Sequence, residues 1–503
     1  MQRYMKIGLL SLGCPKNLVD GEVMLGLAER AGHEITTDAE EADVLVVNTC
    51  AFIDSAKQES IDAILEMAGH KRDGRCRRLV VTGCLAERYR DELRAEIPEI
   101  DVVLGTGEVP EIVAALGDGA RWGRTQSGRL KAAPTETGRL KAAPTDTPIA
   151  PVRFFRNAPS PEPRIPSPDS RASGLGSPAS GAPTYLYDAD TPRHLTTPRH
   201  FAYVKAAEGC DYACSFCIIP ALRGRYRSRP ADSIVREAES LAARGVRELL
   251  LVSQDTTFYG VDRGARGALA RLLRALDRVD GLTWIRLLYL YPTTITDDVL
   301  EAMVACDKVC RYIDLPLQHA SADVLTRMRR PGTRRTYDRL LARIRDRVPG
   351  VTLRTTFIVG FPGETPADVA ELESFVRDTE FDHVGVFTYS HEEGTRAYGL
   401  KDDVPARVKR RRRNRIMALQ KRIVTRRQRA RVGTEVEVLI DGPSADSPLV
   451  LQGRLEGQAP EIDPVVYLTD CDPTAYAPGR LVRATIAGAR DYDLTARPLR
   501  SLL

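Results

Sequence analysis

Short apolar runs alternate with amphipathic stretches along most of the chain. In the first third, apolar runs that predict buried strands occur at 6–12, 43–47 and 78–81. Each run is followed by a stretch in which apolar residues recur with the period of a helix. Strands and helices that alternate in this way are typical of a parallel sheet covered on both faces. We therefore predict a doubly wound α/β domain over residues 1–117.

The middle of the chain repeats the same alternation six times. The strand-like runs lie at 201–207, 248–253, 284–291, 312–317, 351–359 and 383–389. Repeated strand–helix units close, fully or partly, into a (β/α) barrel whose active site lies at the carboxyl ends of the strands. We predict a partial barrel of about six units over residues 197–432.

Two further regions have different patterns. Residues 433–503 alternate apolar and polar positions in short runs with Gly and Pro turns, which predicts a small β-barrel. Residues 118–196 have no such pattern, and thirteen of the 32 prolines lie between Pro134 and Pro198. A near repeat of ten residues occupies 128–147. Because such a segment has little apolar surface to bury, we predict a disordered linker.

Composition places the chain among folded intracellular proteins. It has 503 residues, 43% of them hydrophobic, and a net charge of +5. The first residues lack the apolar core of a signal peptide, and no apolar run is long enough to span a bilayer. Ten cysteines in such a chain favour reduced thiols over disulfides. We expect a cytoplasmic protein that is monomeric and does not bind membranes.

Three closely spaced cysteines follow the first barrel strand. Cys210, Cys214 and Cys217 have the spacing C-x3-C-x2-C. Iron–sulfur clusters are bound by cysteine thiolates, usually four. With only three ligands nearby, one iron would keep an open position. Zinc is the alternative, but structural zinc sites usually have four protein ligands.

A second set of cysteines follows the three predicted N-terminal strands. Cys14, Cys50 and Cys84 each come directly after one of them. Because ligands of such sheets bind outside the carboxyl ends of the strands, the three thiols are expected at one crevice. We predict a second three-cysteine cluster there. The alternative is three ordinary buried cysteines.

These motifs resemble known families. The C-x3-C-x2-C motif with Phe216 before its last cysteine resembles the radical S-adenosylmethionine superfamily. Motifs similar to its methylthiotransferase family are LGCPKNLVD at 12–20, NTC at 48–50, TGC at 82–84, CIIP at 217–220, RG at 223–224 and SRP at 228–230. Within that family, CPKN at 14–17, SQDT at 253–256 and LQHAS at 317–321 resemble the RimO type, which modifies an aspartate of small-subunit ribosomal protein twelve.

The resemblance covers all of the chain except the linker. It departs at Gly21, where the family often has serine, and at the insertion of about eighty residues at 118–196. It implies that residues 433–503 form a TRAM-like domain. The role of the insertion does not follow from the resemblance.

The resemblance also implies a mechanism. Two 4Fe-4S clusters and S-adenosylmethionine are the cofactors, and an unidentified donor supplies electrons. The open iron of the Cys210/Cys214/Cys217 cluster binds S-adenosylmethionine, whose reductive cleavage gives a 5′-deoxyadenosyl radical that abstracts hydrogen. The Cys14/Cys50/Cys84 cluster carries or donates sulfur, and a second S-adenosylmethionine supplies the methyl group.

The same resemblance suggests contacts to S-adenosylmethionine. Phe216 lies within the cluster motif, and Gln254 follows the second barrel strand. Gly360 and Pro362 lie in the glycine-containing turn after the fifth strand. We expect these four residues to contact the cofactor.

The C-terminal region suggests partners. A cation-rich helix over 407–432 either binds RNA phosphates, with ribosomal RNA as the available partner, or is a solvated face. Residues 433–503 contain eleven Asp and Glu but six Arg and no Lys. An acidic surface suits a basic partner such as a ribosomal protein. Two alternatives to the main hypothesis stay open: the same chemistry on tRNA adenosine (MiaB type), and a non-catalytic iron–sulfur redox sensor that binds RNA.

Overall fold

The computed structural model describes residues 4–117, 183–445 and 447–499. The N-terminal unit contains one parallel five-stranded sheet in the order β2-β1-β3-β4-β5. Its strands are β1 (Lys6–Ser11), β2 (Glu34–Thr36), β3 (Val44–Thr49), β4 (Arg78–Gly83) and β5 (Val102–Leu104). The predicted strands correspond to β1, β3 and β4. The strands β2 and β5 have three residues each, too few for a recognisable pattern.

Helices cover both faces of this sheet. They are α1 (Pro15–Arg30), α2 (Asp54–Asp73), α3 (Cys84–Arg88), α4 (Arg90–Glu96) and α5 (Ile112–Leu116). Helices α1 and α5 pack on one face, and α2, α3 and α4 pack on the other. All six residues of β3 are buried, as expected for a central strand between two helical layers. The doubly wound fold is confirmed.

The central unit is a partial barrel of six parallel strands. They are β6 (Phe201–Lys205), β9 (Glu248–Val252), β10 (Trp284–Leu287), β11 (Tyr312–Asp314), β12 (Thr352–Val359) and β13 (His383–Thr388). Two three-stranded groups, β10-β9-β6 and β11-β12-β13, are joined by a bridge between Ile285 and Val309. In the described part of the chain β6 and β13 do not pair, so the barrel is open there. A short antiparallel pair, β7 (Ala207–Glu208) and β8 (Arg227–Ser228), flanks the cysteine loop.

Helices surround the barrel strands. They are α6 (Ile219–Arg223), α7 (Ala231–Ala243), α8 (Ala268–Asp277), α9 (Asp297–Ala305), α10 (Ala322–Arg327), α11 (Arg334–Arg347), α12 (Pro366–Thr379) and α13 (Ala406–Ala430). Single 3-10 turns occur at Val109–Glu111, Thr256–Phe258, Val261–Arg263, Arg396–Gly399 and Pro473–Ala475. The apolar face of α13 packs on the barrel core through Ile416, Leu419 and Ile423. None of the helices in the described ranges combines the length and apolar character needed to cross a bilayer.

The C-terminal unit is a closed five-stranded barrel, as predicted. Its strands, β14 (Glu435–Pro443), β15 (Leu451–Arg454), β16 (Val466–Leu468), β17 (Leu481–Arg490) and β18 (Asp493–Pro498), are ordered β14-β15-β16-β18-β17. Eleven buried residues fill its core, among them Val438, Leu451 and Ile486.

Carboxylates of the C-terminal barrel dock it onto the central unit. Asp441 bonds His200 at 2.8 Å, Asp463 accepts from Tyr312 at 2.6 Å, and Glu461 accepts from Tyr203 at 2.9 Å. Further carboxylates of the barrel pair with cations, as Asp491 does with Lys421 and Asp470 with Arg497. Part of the acidic composition therefore serves docking and internal pairing. A count of charges does not show which of them are already paired, and these pairs involve only part of the acidic residues of the barrel.

Part of the predicted linker is packed. Residues 183–196 have no helix or strand, but Arg193 pairs with Glu22 of α1 at 2.6 Å and with Glu237 of α7 at 2.7 Å. The hydroxyl of the buried Tyr187 donates to Glu237 at 3.1 Å. The prediction of disorder is therefore wrong for 183–196, because proline-rich composition does not reveal buried charge pairs. The prediction for 118–182 falls outside the described residues.

Candidate active site

The loop with Cys210, Cys214 and Cys217 follows β7 at the carboxyl end of the first barrel strand. It begins after Gly209, whose φ is +87° and where a Cβ would lie 2.0 Å from the carbonyl oxygen of Arg225. Only glycine fits such a close approach in the left-handed region. The Cys210 N–H donates to the carbonyl oxygen of Gly224 at 3.0 Å. The turn thus fixes where the loop leaves the strand.

The other three cysteines follow adjacent strands of the N-terminal sheet. Cys14 follows β1, Cys50 follows β3 and Cys84 begins α3 after β4. A Cβ on Gly13, whose φ is +89°, would lie 2.8 Å from Cys50 Sγ. Ser60 bonds both the N–H and the carbonyl oxygen of Cys50, at 3.0 and 2.9 Å. The carboxyl ends of the three strands therefore bring these cysteines close together.

Burial and nearby cations set the charge of the N-terminal thiols. Burial alone would raise the pKa of Cys14, but the positive charges of Lys16 and Arg223 outweigh it and lower that pKa. Burial raises the pKa of Cys50 to about 12, and negative charge on Cys84 or Cys14 acts in the same direction. Burial also raises the pKa of Cys84, against the opposing charge of Arg223. The three thiols therefore influence one another.

The barrel-loop thiols form a similar group. Burial raises the pKa of Cys210 to about 11 and that of Cys217 to about 12. Negative charge on Cys214 contributes to raising both pKa values, and Arg330 opposes the rise at Cys217. As free thiols in this site, Cys210 and Cys217 would be mostly protonated near neutral pH. Thiolate ligation therefore requires a cationic group bound to them.

A buried charge network joins the two cysteine sites. Arg223, 3% exposed, donates to Asp20 at 2.7 Å, to Glu208 at 3.1 Å and to Cys84 Sγ at 3.6 Å. Lys205 lies between the same two carboxylates, 2.5 Å from each. Glu208 precedes Cys210 by two residues, so the network extends from one cysteine site to the start of the other.

A second arginine contacts the barrel loop. Arg330 Nη1 lies 3.8 Å from Cys214 Sγ, and its guanidinium stacks 4.1 Å from the centre of the Tyr291 ring. Its Nη2 donates to the carbonyl oxygen of Pro316. Arg330 is 8% exposed, and no carboxylate in the described ranges lies within ion-pair distance of it. A buried cation without a carboxylate is costly unless another negative group is near.

The residues present fit thiolate-bound clusters. Among the described residues of the N-terminal site, Lys16, Lys205 and Arg223 face only Asp20 and Glu208, which leaves one positive charge without a counter-charge. Cysteine thiolates of a cluster would supply negative charge there, and also beside Arg330. No three His, Cys, Asp or Glu side chains in the described residues are arranged to hold one metal ion.

Phe216 and the glycine turn meet in one apolar cluster. Phe216 packs against a cluster that contains Phe361, the residue between Gly360 and Pro362. Gly360 has φ +76°, and a Cβ there would lie 2.3 Å from Lys409 Cγ. The N–H groups of Gly360 and Phe361 donate to Glu364, so they are already occupied. The structure therefore brings Phe216 to this turn.

Gln254 lies elsewhere on the rim. Its Nε2 donates to Glu208 at 2.6 Å, and its buried Oε1 has no partner within the described residues. It therefore belongs to the charge network between the cysteine sites. This oxygen would gain a hydrogen bond only if a ligand with a donor group bound beside it.

His319 is buried beyond the end of the fourth barrel strand. It is fully buried, and its Nδ1 accepts the N–H of Ser321 at 3.0 Å. Burial lowers its pKa to about 3, so it stays neutral. Cys306, Cys310 and Cys76 are buried among core residues, as is typical of packing cysteines.

Sequence reasoning did not assign roles to three charged residues of the site. Lys16 and Arg223 stand inside motifs quoted above, but a motif does not say what a side chain contacts. Arg330 follows α10 in a run of two arginines that has no distinctive spacing. Only the folded chain places it next to Cys214.

Comparison with known proteins gives three family matches. Residues 6–105 match the model described as uncharacterized protein family UPF0004, residues 204–376 match the radical SAM superfamily, and residues 432–499 match the TRAM domain. The chain is 47% identical over 98% of its length to the ribosomal protein uS12 methylthiotransferase RimO of Koribacter versatilis, covering 96% of that protein. It is 46% identical over 97% of its length to the RimO of Pelotomaculum thermopropionicum, covering 98% of it.

A solved structure shares the fold. The radical S-adenosylmethionine methyltransferase TsrM from Kitasatospora setae, determined with cobalamin and a [4Fe-4S] cluster, aligns with a TM-score of 0.50. The identity is 17%, and the alignment covers 77% of this chain and 72% of TsrM. At that identity the likeness concerns the fold alone.

Proposed function

The chain belongs to the RimO family of ribosomal protein uS12 methylthiotransferases, and we propose that it replaces a β-carbon hydrogen of one uS12 aspartate with a methylthio group. It is a radical S-adenosylmethionine enzyme with two 4Fe-4S clusters and S-adenosylmethionine as cofactors. The reaction needs a site that generates a radical and a site that provides sulfur. The observation that carries the proposal is the pair of three-cysteine sites joined by Arg223, between Cys84 and Glu208.

We assign Cys210, Cys214 and Cys217 to the cluster that binds S-adenosylmethionine. Three protein ligands leave one of four irons open to the cofactor. When bound, this cluster and S-adenosylmethionine supply radical chemistry at a carbon that no base could deprotonate. The chain's own contribution is to hold the loop in place: the Ser215 N–H donates to the carbonyl oxygen of Met328 at 2.9 Å. Phe216 is thereby kept against the glycine turn.

Four residues are proposed to contact S-adenosylmethionine. Phe216, Gly360 and Pro362 would provide apolar surface and close backbone approach. Gln254 would contribute the buried acceptor Oε1, which lacks a partner in the described part of the chain. A donor group of the cofactor, such as its amino group, would satisfy that acceptor.

We assign Cys14, Cys50 and Cys84 to the second cluster, which carries or donates sulfur. Lys16 and Arg223 place positive charge beside these thiols and favour their ionised form. Because both cations are buried, water screens their effect little. All ten cysteines are free thiols, which agrees with a reducing cytoplasm, where we place the reaction.

We also propose contact between helix α13 and ribosomal RNA. The helix contains ten Arg and two Lys and no Asp or Glu. Six of these cations form ion pairs within the chain, for example Arg415 with Glu373 and Arg426 with Glu380. Five arginines are exposed and have no acceptor among the described residues: Arg407, Arg410, Arg411, Arg422 and Arg429. They are called the arginine stripe below.

The geometry of the arginine stripe suits a polyanion. At 100° per residue its members fall within about a third of the helix circumference, and from Arg407 to Arg429 they span about 33 Å. A guanidinium can hold a phosphate through two parallel hydrogen bonds. A membrane is a poorer partner, because the apolar side of the helix, with Ile416 and Ile423, is buried in the barrel core. The alternative is that the arginine stripe is solvated and binds no RNA, and an RNA-binding experiment distinguishes the two.

Mass spectrometry of the substrate tests the proposed reaction. Anaerobically reconstituted enzyme would be incubated with uS12, S-adenosylmethionine, sulfide and a reductant. We expect one aspartate of uS12 to gain a methylthio group and S-adenosylmethionine to be consumed. A redox sensor would leave both unchanged, and that result would remove the proposal.

A further inference from the structure

We propose that Arg223 is a positioning residue shared by the two cysteine sites, which holds the Cys84 sulfur and raises the reduction potential of the cluster on Cys14, Cys50 and Cys84. The inference rests on the proposed function only in assuming that a cluster occupies those cysteines. It assigns to Arg223, a residue of the central barrel, a role at the cysteine site of the N-terminal unit. Arg223 is the last residue of α6 in the central barrel, whereas Cys84 is the first residue of α3 in the N-terminal unit.

The hydrogen bonds of Arg223 hold its guanidinium in one orientation, with an N–H group directed at the Cys84 sulfur. One terminal nitrogen donates to Asp20 and Glu208, and the other donates to Asn17 Oδ1 at 3.1 Å and to Cys84 Sγ at 3.6 Å. With 3% of its surface exposed, the side chain has no alternative partner in water. A side chain held in this way keeps its donor on the sulfur when the cluster changes charge.

Charge decides the direction of the effect. A reduced cluster carries one more negative charge than an oxidised one, so a nearby cation and a donated hydrogen bond stabilise the reduced form more. The two carboxylates, Asp20 and Glu208, do not cancel this effect, because Lys205 neutralises part of their charge. Removing the guanidinium should therefore make the cluster harder to reduce.

Arg330 provides an internal comparison. It is the corresponding arginine at the other site, 3.8 Å from Cys214 Sγ, and it is also buried. Each site thus has one arginine whose nitrogen lies within hydrogen-bond distance of one cysteine sulfur. Substitution of Arg330 should change the potential of the barrel-loop cluster and leave the N-terminal cluster unchanged.

The experiment measures potentials of each cluster separately in the full-length chain. A variant with Cys210, Cys214 and Cys217 changed to alanine keeps only the N-terminal cluster, and a variant with Cys14, Cys50 and Cys84 changed keeps only the other. Into each of these two triple-cysteine variants we would introduce Arg223→Gln, Arg223→Lys or Arg330→Gln. We would then measure iron content, check folding by circular dichroism, and follow an anaerobic redox titration by electron paramagnetic resonance.

We expect Arg223→Gln to shift the N-terminal cluster to a more negative potential, Arg223→Lys to shift it less, and Arg330→Gln to leave it in place. The other cluster should respond only to Arg330→Gln. A loaded Arg223→Gln variant with an unchanged potential would overturn the inference, and so would loss of the cluster from both Arg223 variants, since the residue would then only maintain the fold. Absence of iron from the parent variant with intact Cys14, Cys50 and Cys84 would refute the two-cluster proposal itself.

Discussion

Lys16 Nζ lies 3.5 Å from the centre of the Tyr289 ring and donates to the carbonyl oxygen of Ser253 at 3.3 Å. A lysine of helix α1 in the N-terminal unit thus reaches the rim of the barrel, although residue 16 and residue 289 are far apart in sequence. Lys16 is buried and forms no ion pair with a carboxylate of the described residues. Its charge acts on the neighbouring Cys14 thiol instead.

Substitution of Lys16 by methionine should raise the pKa of Cys14. The wild-type pKa is lowered because Lys16 and Arg223 outweigh burial, and removing one of the two cations leaves burial less opposed. In the metal-free protein, the pH profile of Cys14 alkylation should move to higher pH, because the thiolate is the reactive form. Lys57→Met is the control, since Lys57 pairs with Asp54 and Glu392. A profile that does not move with Lys16→Met contradicts this account of the site.

Single cysteine substitutions should separate the two sites. Cys210→Ala is expected to abolish S-adenosylmethionine cleavage, whereas Cys50→Ala should leave cleavage at least partly intact and stop sulfur insertion. Each should lower the iron content from about eight to about four per chain. Cys76→Ala, at a buried cysteine in the N-terminal core, should keep both activities. Normal sulfur transfer by Cys50→Ala would show that the second cluster is assigned wrongly.

Gly13→Ala should specifically impair the N-terminal cluster. Alanine at φ +89° costs about 1–2 kcal/mol of stability, and its Cβ would also press on Cys50 Sγ. Gly245→Ala is the matched control, because Gly245 has φ +98° and a Cβ there would meet no atom of the described residues within 4 Å. Both variants should lose stability in thermal melts, Gly13→Ala at least as much as Gly245→Ala, but only Gly13→Ala should lose iron. Equal iron content in the two would mean that the close approach of Gly13 to Cys50 does not matter for cluster binding.

The arginine stripe should determine RNA affinity. Arg411→Gln with Arg422→Gln removes two unpaired cations, and Arg415→Gln with Arg426→Gln removes two paired ones, so the net charge change is the same. Binding to small-subunit ribosomal RNA should weaken more in the first variant, and the slope of log affinity against log salt should fall by about 1.5 for two lost phosphate contacts. Equal weakening in both variants would indicate a general charge effect, and no weakening in either would leave α13 as a solvated face.

The positions of the proposed cluster ligands could be predicted from the sequence better than their surroundings. Cys210, Cys214 and Cys217 have a local spacing that is visible in the chain, and strand order alone predicted that Cys14, Cys50 and Cys84 lie close together. The contact of Arg330 with Cys214 depends on the path of the chain between them, which no local pattern encodes. Short strands such as β2 and β5 were missed for a related reason: three residues show no period.

Charge was the least predictable property. Composition showed that the C-terminal barrel is acidic, but not that Asp441 and Asp463 pair with the central unit. It also suggested that residues up to 196 are disordered, whereas Arg193 is buried between two glutamates. Whether a charge is free or paired depends on distances between remote segments, and only the folded chain supplies them.

The central claim is that uS12, and not tRNA, receives the methylthio group. One anaerobic reaction with reconstituted enzyme, S-adenosylmethionine, sulfide, reductant, uS12 and unfractionated tRNA offers both substrates together. Mass spectrometry of the protein and of the digested RNA then locates the modification. The account predicts a methylthio group on an aspartate of uS12 and unmodified tRNA; a methylthio-adenosine with untouched uS12 would contradict it.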